Sequence, residues 1–259
     1  MKPLYIACRL NVKGSVTVIR SPWISCLRRQ GYHPIMSVEE ADGLYDKIPT
    51  VQEMEDFIDK HQDTKDADLI WRLARFAAIL IKTHPDLAKR KSYSVKIKEL
   101  GEKGLELNPE SAGCNKFYSI GLMEGPGGQS DKAKNIHIVK KHFQKAAEID
   151  PQDPYAQYLL GVWHFRVADM PWLLKKIVNA VLSNPPNATY DEAFHFFKQA
   201  DELKPNGSLR NSMMYGKTCL RLKDYGKAKE YLQKAVDFEP KRPEDEEFLK
   251  EAKDLLKGL

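Results

Sequence analysis

A chain of 259 residues with 42% apolar, 10% aromatic and 30% charged residues has the makings of a packed core, which excludes a disordered or fibrous polypeptide. Its four cysteines (Cys8, Cys26, Cys114, Cys219) lie far apart without a CxxC pair; they fit free thiols in a reducing compartment, neither a disulfide framework nor a zinc ribbon. The net charge of +5 sits at the front, where six basic residues precede the first acid, Glu39; the remaining 35 basic and 36 acidic residues balance and argue against a nucleic-acid-binding face.

Residues 1–36 form a basic leader ahead of one repeat domain over residues 37–259. The leader is acid-free and Arg-bearing, like a mitochondrial transit peptide. Yet Pro3, Gly14 and Pro22 interrupt an amphipathic helix, and Leu4–Leu10 and Ser15–Ile19 read as extended segments. Met36 followed by Ser-Val-Glu-Glu also reads as a start site, which leaves an isoform-specific or upstream extension open. The most apolar stretch, Ser15 to Leu27, is broken by Arg20 and Pro22, short of the roughly 18–20 residues that span a bilayer.

Glu39 to Asp46 reads as a helix fragment with Ala41, Leu44 and Tyr45 on one side. Thr50 and Glu53 fit a capping box that opens a helix burying Val51, Met54, Phe57 and Ile58. Trp71 to Ala78 supplies the first helix of a degenerate unit, whose second helix carries Gly101 and Gly104. Three better-preserved units follow, with second helices marked by Val139, Phe143, Ala146 and Pro151; by Ala193, Phe197, Ala200 and Pro205; and by Ala228, Leu232, Ala235 and Pro240. Steps of four and three put the first three residues of each set on one helical face, and the proline ends the helix. Each preceding helix has a glycine in mid-pattern (Gly121, Gly161, Gly216) that lets antiparallel helices approach, against a helix cost of up to about 1 kcal/mol.

Gly216 to Pro240 matches the 34-residue tetratricopeptide pattern without a gap. The second unit is longer by six residues around Gly125-Pro-Gly-Gly128, a turn that lacks the Lys-Ser/Thr a phosphate loop needs. The third is longer by twenty, and Met170 to Asn187 carries an apolar helical pattern with Trp172, Leu173, Leu174, Ile177, Val178, Val181 and Leu182. Glu244 to Leu256, with Phe248, Ala252, Leu255 and Leu256 on one face, reads as a terminal cap. The fold expected is an all-α, tetratricopeptide-like solenoid with an inserted helix in the third unit and capping helices at both ends.

The seven histidines form no metal-ligand pattern, and no GxSxG, Walker-type or HExxH motif is present, so no metal, cofactor or enzyme activity is expected. In such a stack the first helices line a concave groove. The register places there Leu69, Arg72, Phe76 and Ile79; Asn115, Tyr118 and Leu122; Tyr155, Tyr158, Val162 and Phe165; and Arg210, Met213, Lys217 and Leu220. That lining is mostly apolar, which disfavours capture of a peptide carboxylate and suits an amphipathic helix, an acyl chain or the protein's own inserted helix. Two basic clusters stand out: Lys89, Arg90, Lys91, Lys96 and Lys98, and Lys132, Lys134, Lys140, Lys141 and Lys145. They are either solvated helix faces or an electrostatic surface for an acidic polymer or membrane.

Ala41-Asp-Gly-Leu-Tyr-Asp46, Leu69-Ile-Trp-Arg-Leu-Ala-Arg75, Leu160-Gly-Val-Trp163, the Trp172 insertion, Asn184-Pro-Pro186 and Phe196-Phe-Lys-Gln-Ala-Asp-Glu-Leu203 together resemble the regulator of microtubule dynamics family over about residues 38–259. The resemblance implies a non-enzymatic protein that binds tubulin or microtubules in the cytoplasm and cytoskeleton and acts in spindle function and chromosome segregation. It also implies an alternative, phospholipid binding at organelle contacts through the apolar groove, and a mitochondrial location if residues 1–35 act as a transit peptide. On the first reading the two lysine clusters meet tubulin's acidic surface, and charge reversal at Lys89, Arg90 and Lys91 is expected to weaken docking without unfolding the chain.

Overall fold

The computed structural model describes residues 34–259, with side-chain surroundings from residue 37 onward. The readings of residues 1–33 lie outside the described residues. Those described form twelve α-helices and one 3-10 turn, with no strand among them.

Two short helices open the chain, α1 (Pro34–Asp46) and α2 (Val51–Lys60). Thr50 and Glu53 close the capping box in both directions, at 2.8 and 3.3 Å, and α2 buries Met54, Phe57 and Ile58 while Val51 stays half-buried. Four helix pairs follow: α3 (Ala67–Thr83) with α4 (Leu87–Leu107), α5 (Ala112–Glu124) with α6 (Gln129–Ile149), α7 (Pro154–Ala168) with α9 (Tyr190–Leu203), and α10 (Leu209–Arg221) with α11 (Tyr225–Val236). The inserted helix is α8 (Trp172–Val181), and a 3-10 turn (Pro243–Asp245) leads into α12 (Glu246–Lys257).

The sequence repeat is the core. Val139, Phe143, Ala146, Ala193, Phe197, Ala200, Ala228, Leu232 and Ala235 are all buried. Helix ends follow from local chemistry. Asp66, Asp86, Ser111, Asp153, Thr189, Ser208 and Asp224 each accept a first-turn backbone N–H and start a helix. Asn108, Asp150 and Lys204 stand immediately before prolines and adopt the extended ψ of 82–93° that such residues favour, so α4, α6 and α9 stop there.

Glycines set the closest approaches. A Cβ on Gly161 would lie 2.6–2.9 Å from the Phe197 ring, and one on Gly216 would lie 2.7 Å from Leu232 Cγ, so both face the second helix of their own pair. Gly121 departs from that layout. Its Cβ would meet the backbone of Lys98 at 2.5–2.6 Å, while a Cβ on Gly101 would lie 2.5 Å from Tyr118 Cα. These two glycines therefore let α4 and α5, from neighbouring units, pack backbone to backbone. Buried Ser119, donating to Val139 O at 3.2 Å, is the small residue that faces α6.

The extra residues of the second unit do not enlarge the loop. They lengthen α6 to 21 residues against 12 in α11, and α4 is equally long at 21. Both basic clusters ride on these extended helices. The inserted helix α8 packs on α6, on the second-helix side of the stack, and His137 Nε2 lies 2.7 Å from Asn184 O just beyond it. It is not seated against the groove helices α3, α5 and α10.

The ends of the solenoid meet. Arg242 donates to Tyr45 O at 3.0 Å, and the Tyr45 ring has the guanidinium groups of Arg75 and Arg242 each 3.7 Å from its centre. Around this junction Ile48, Met54, Ile79, Thr83, Arg242 and Pro243 line a cavity of about 180 Å³. Ile48 has φ 56°, a strained left-handed conformation for a β-branched residue.

Candidate functional site

The concave groove is largely closed by the first and last of the described helices. Over the first unit lies α1: Asp42 accepts from Arg72 at 2.9 and 2.6 Å and from Arg75 at 3.0 Å, and these guanidinium groups hold its carboxyl below the usual carboxylate range. Phe76 and Leu69 are buried in the core, with Phe76 against Phe57 and Tyr45. Over the fourth unit lie the 3-10 turn and α12. Lys217 pairs with Glu251 at 2.5 Å, Arg210 reaches Asp245 at 3.1 Å and sits 5.0 Å from the Phe248 ring centre, and Met213 is buried.

The middle of the groove retains part of what the register placed there. Leu122, Val162 and Phe165 are buried. Asn115 is buried too; its amide donates to the carbonyls of Pro109 and Ser111, and its Oδ1 lies 2.7 Å from His142 Nδ1. Burial holds the His142 imidazole below its ordinary pKa. Tyr118 packs edge-on to that ring, and Tyr155, 37% exposed, stacks on Tyr158 with ring centres 5.8 Å apart. The residues left facing open space are aromatic and polar-tipped. The sequence register could not see that α1 and α12 would cover the groove faces of the first and fourth units.

The two lysine clusters have different fates. On α4, Lys89 donates to Glu55 Oε1 at 2.8 Å, Tyr93 donates to the same oxygen at 2.8 Å, and His84 Nε2 lies 3.3 Å away. Glu55 is buried, and the bond from Lys89 outweighs desolvation to keep its carboxyl below the ordinary value. Arg90 donates to His84 O at 2.5 Å, and Lys98 pairs with Glu102 at 3.5 Å. Lys91 and Lys96 are the two members of this cluster with neither a carboxylate nor a carbonyl partner for the side chain among the described residues. Lys89 and Arg90 therefore hold the fold together before they hold anything else.

On α6, Lys132 and Lys141 are exposed and lack a carboxylate partner among the described residues. Lys134 makes a loose surface pair with Asp131 at 3.5 Å, Lys145 pairs with Glu110 at 2.5 Å, and Lys140 lies 4.7 Å from the Trp163 ring centre. Beside them α8 buries Val178, half-buries Leu174, Ile177 and Val181, and leaves Trp172 and Leu173, 67% and 63% exposed, outside with Lys175 and Lys176. Sequence reading put all these apolar residues in one pattern. Spacing of three and four from Leu174 to Val181 defines the buried stripe, and Trp172 and Leu173 fall off it. Among the described residues no His/Cys/Asp/Glu group is arranged to hold a metal, and no helix is long and apolar enough to cross a membrane.

Helix pairs stacked on a Phe/Leu–Ala stripe, with caps at both ends, make this a tetratricopeptide-type solenoid. It superposes with a TM-score of 0.56 on the crystal structure of TTC0263, a thermophilic tetratricopeptide protein of Thermus thermophilus, at 13% identity over 85% of this chain and 98% of that one. Residues 37–259 match the family model for Regulator of microtubule dynamics protein 1-3, and the chain belongs to that family. Regulator of microtubule dynamics protein 1 of Bos taurus is 33% identical over 225 residues, 86% of this chain and 71% of its own length. The human protein 1 is 35% identical over 72% and 60%, and protein 3 of Mus musculus is 30% identical over 73% and 40%.

Proposed function

We propose that this protein is a non-enzymatic scaffold of the cytoplasm and cytoskeleton that binds microtubules and acts on spindle microtubule dynamics in chromosome segregation. The working unit is a single repeat domain over residues 37–259, which holds its charged surfaces in fixed relation. The observation that carries this reading is the α6 surface. Lys132 and Lys141 project from the extended helix with no carboxylate partner among the described residues, in a run from Lys132 to Ala147 that contains no acid. Such a face suits tubulin's acidic tails, which it would attract over a range set by ionic strength. Lys91 and Lys96 of α4 are secondary contributors; Lys89, Arg90 and Lys98 are engaged within the fold.

The alternative, phospholipid in the concave groove, depends on an open apolar lining. With Arg72, Phe76, Met213 and Lys217 covered by α1 and α12, that reading keeps only the tyrosine-lined middle, and mass spectrometry of the purified protein for co-purifying lipid tests it. The main reading is tested by co-pelleting with microtubules at low and high salt and after proteolytic removal of the tubulin tails. Binding that weakens in salt and on tail removal is expected. A protein that stays in the supernatant at low salt contradicts it.

A further inference from the structure

Helix α8 presents a surface that basic charge alone does not explain. Trp172 and Leu173 are the one adjacent pair among the exposed large hydrophobic residues of the described chain, and they stand side by side at the start of a helix that packs on α6 with Val178 buried and Leu174, Ile177 and Val181 half-buried. Lys176 lies 4.1 Å from the Trp172 ring centre, and Lys175 and Lys176 have no carboxylate partner among the described residues. From Met170 to Thr189 the chain contains no acid, and α6 beneath it contains none from Lys132 to Ala147. An exposed apolar pair beside two lysines that lack a carboxylate partner among the described residues is the arrangement of an interface anchor with a cationic rim.

We propose that α8 is the anchor of the docking surface: Trp172 and Leu173 seat in an apolar recess of the folded, acidic surface of the microtubule wall, and the lysines of α6 and α8 surround that contact. This inference rests on the microtubule reading above and deepens it, dividing the interaction between salt-sensitive lysines on the tails and an apolar contact on the wall. A protein surface fits better than a membrane. An interfacial helix immerses its whole apolar face in the lipid boundary, whereas here Val178 is buried and Leu174, Ile177 and Val181 are half-buried against the protein, which leaves two exposed large side chains. Two large side chains make a knob for a pocket, and positive charge around them complements an acidic rim.

The double variant Trp172→Ser/Leu173→Ser removes the knob without touching the buried stripe, and Leu173→Ser alone is a milder version. Both keep the wild-type thermal midpoint, because both side chains lie outside the core. Co-pelleting at fixed low salt with intact and with tail-stripped microtubules is the measurement. The expected result is that the wild type keeps residual binding to tail-stripped microtubules, and that the double variant loses about tenfold or more there. If wild type and double variant pellet equally on both polymers, the α8 anchor is wrong and the microtubule reading stands. If the wild type pellets with neither, the microtubule reading itself fails and takes the anchor with it. Flotation of the wild type with phosphatidylserine vesicles that is lost in the double variant overturns the assignment to a protein surface.

Discussion

Helices α4 and α6 look alike in sequence: each is 21 residues long, and each carries a lysine-rich run on its second-helix side of the stack. Their surroundings differ. The extension of α4 meets α2, which brings Glu55 to Lys89 and Tyr93; the extension of α6 meets α8, which brings no acid and adds Lys175 and Lys176. A charge run read from sequence is therefore no measure of a surface field. The field depends on what the neighbouring helix carries: each run has two members paired with carboxylates, but the partner that α2 brings to α4 is the buried Glu55, whereas α8 adds Lys175 and Lys176 beside α6.

Substitutions separate the two helices by their effect on stability. Lys89→Glu is the most damaging, because it sets a carboxylate against buried Glu55 and removes that group's main donor. Its thermal midpoint should fall further than that of any other charge reversal in the two lysine runs, which argues against the expectation that reversal at Lys89 spares the fold. Tyr93→Phe, which removes one donor from the same carboxylate, should cost about 1–3 kcal/mol by chemical denaturation.

Acid separates the same regions. Burial keeps His142 of α6 and His164 of α7 below the ordinary imidazole value. In each case the unfolded chain takes up the proton first, so the stability they contribute is complete above about pH 6.5 and is lost as pH falls below it. Glu55 is depressed from 4.5, so its contribution is lost only as pH falls below that value. Burial holds His61 at the end of α2 below the ordinary value as well, so hydrogen exchange between pH 7 and pH 5 should show α6, α7 and the end of α2 losing protection before the Glu55 contact with α4 does. The reverse order would sink this assignment of the titrating groups. The smallest stability effect belongs to Lys132→Glu/Lys141→Glu, which breaks no internal ion pair and should leave the midpoint unchanged in a thermal scan.

Much of the fold was legible because helix periodicity reports directly which face is buried. The Phe143, Phe197 and Leu232 stripe, the Thr50–Glu53 box and the stops before Pro151 and Pro205 each follow from contacts within one helix or one turn. What periodicity cannot report is the identity of the covering element. Tyr45 and Arg242 are 197 positions apart and meet only because the stack curves back on itself. For that reason the register assigned Arg72, Phe76, Met213 and Lys217 to the groove lining without detecting their covers. Gly121 was legible as a close-approach glycine but not as one facing α4, since helices on either side of α5 call for the same small residue. Trp172 and Leu173 were hidden by apolar neighbours, although the spacing from Leu174 onward carried the signal that they lie off the stripe.

The most direct test sets the two lysine runs side by side in one microtubule co-pelleting assay: Lys132→Glu/Lys141→Glu against Lys91→Glu/Lys96→Glu, each folded as the wild type by circular dichroism. Reversal on α6 is expected to weaken pelleting strongly at low salt and to flatten its salt dependence, while reversal on α4 leaves most of the binding. Loss of binding in the α4 variant with the α6 variant unaffected would contradict the division of labour between the two helices.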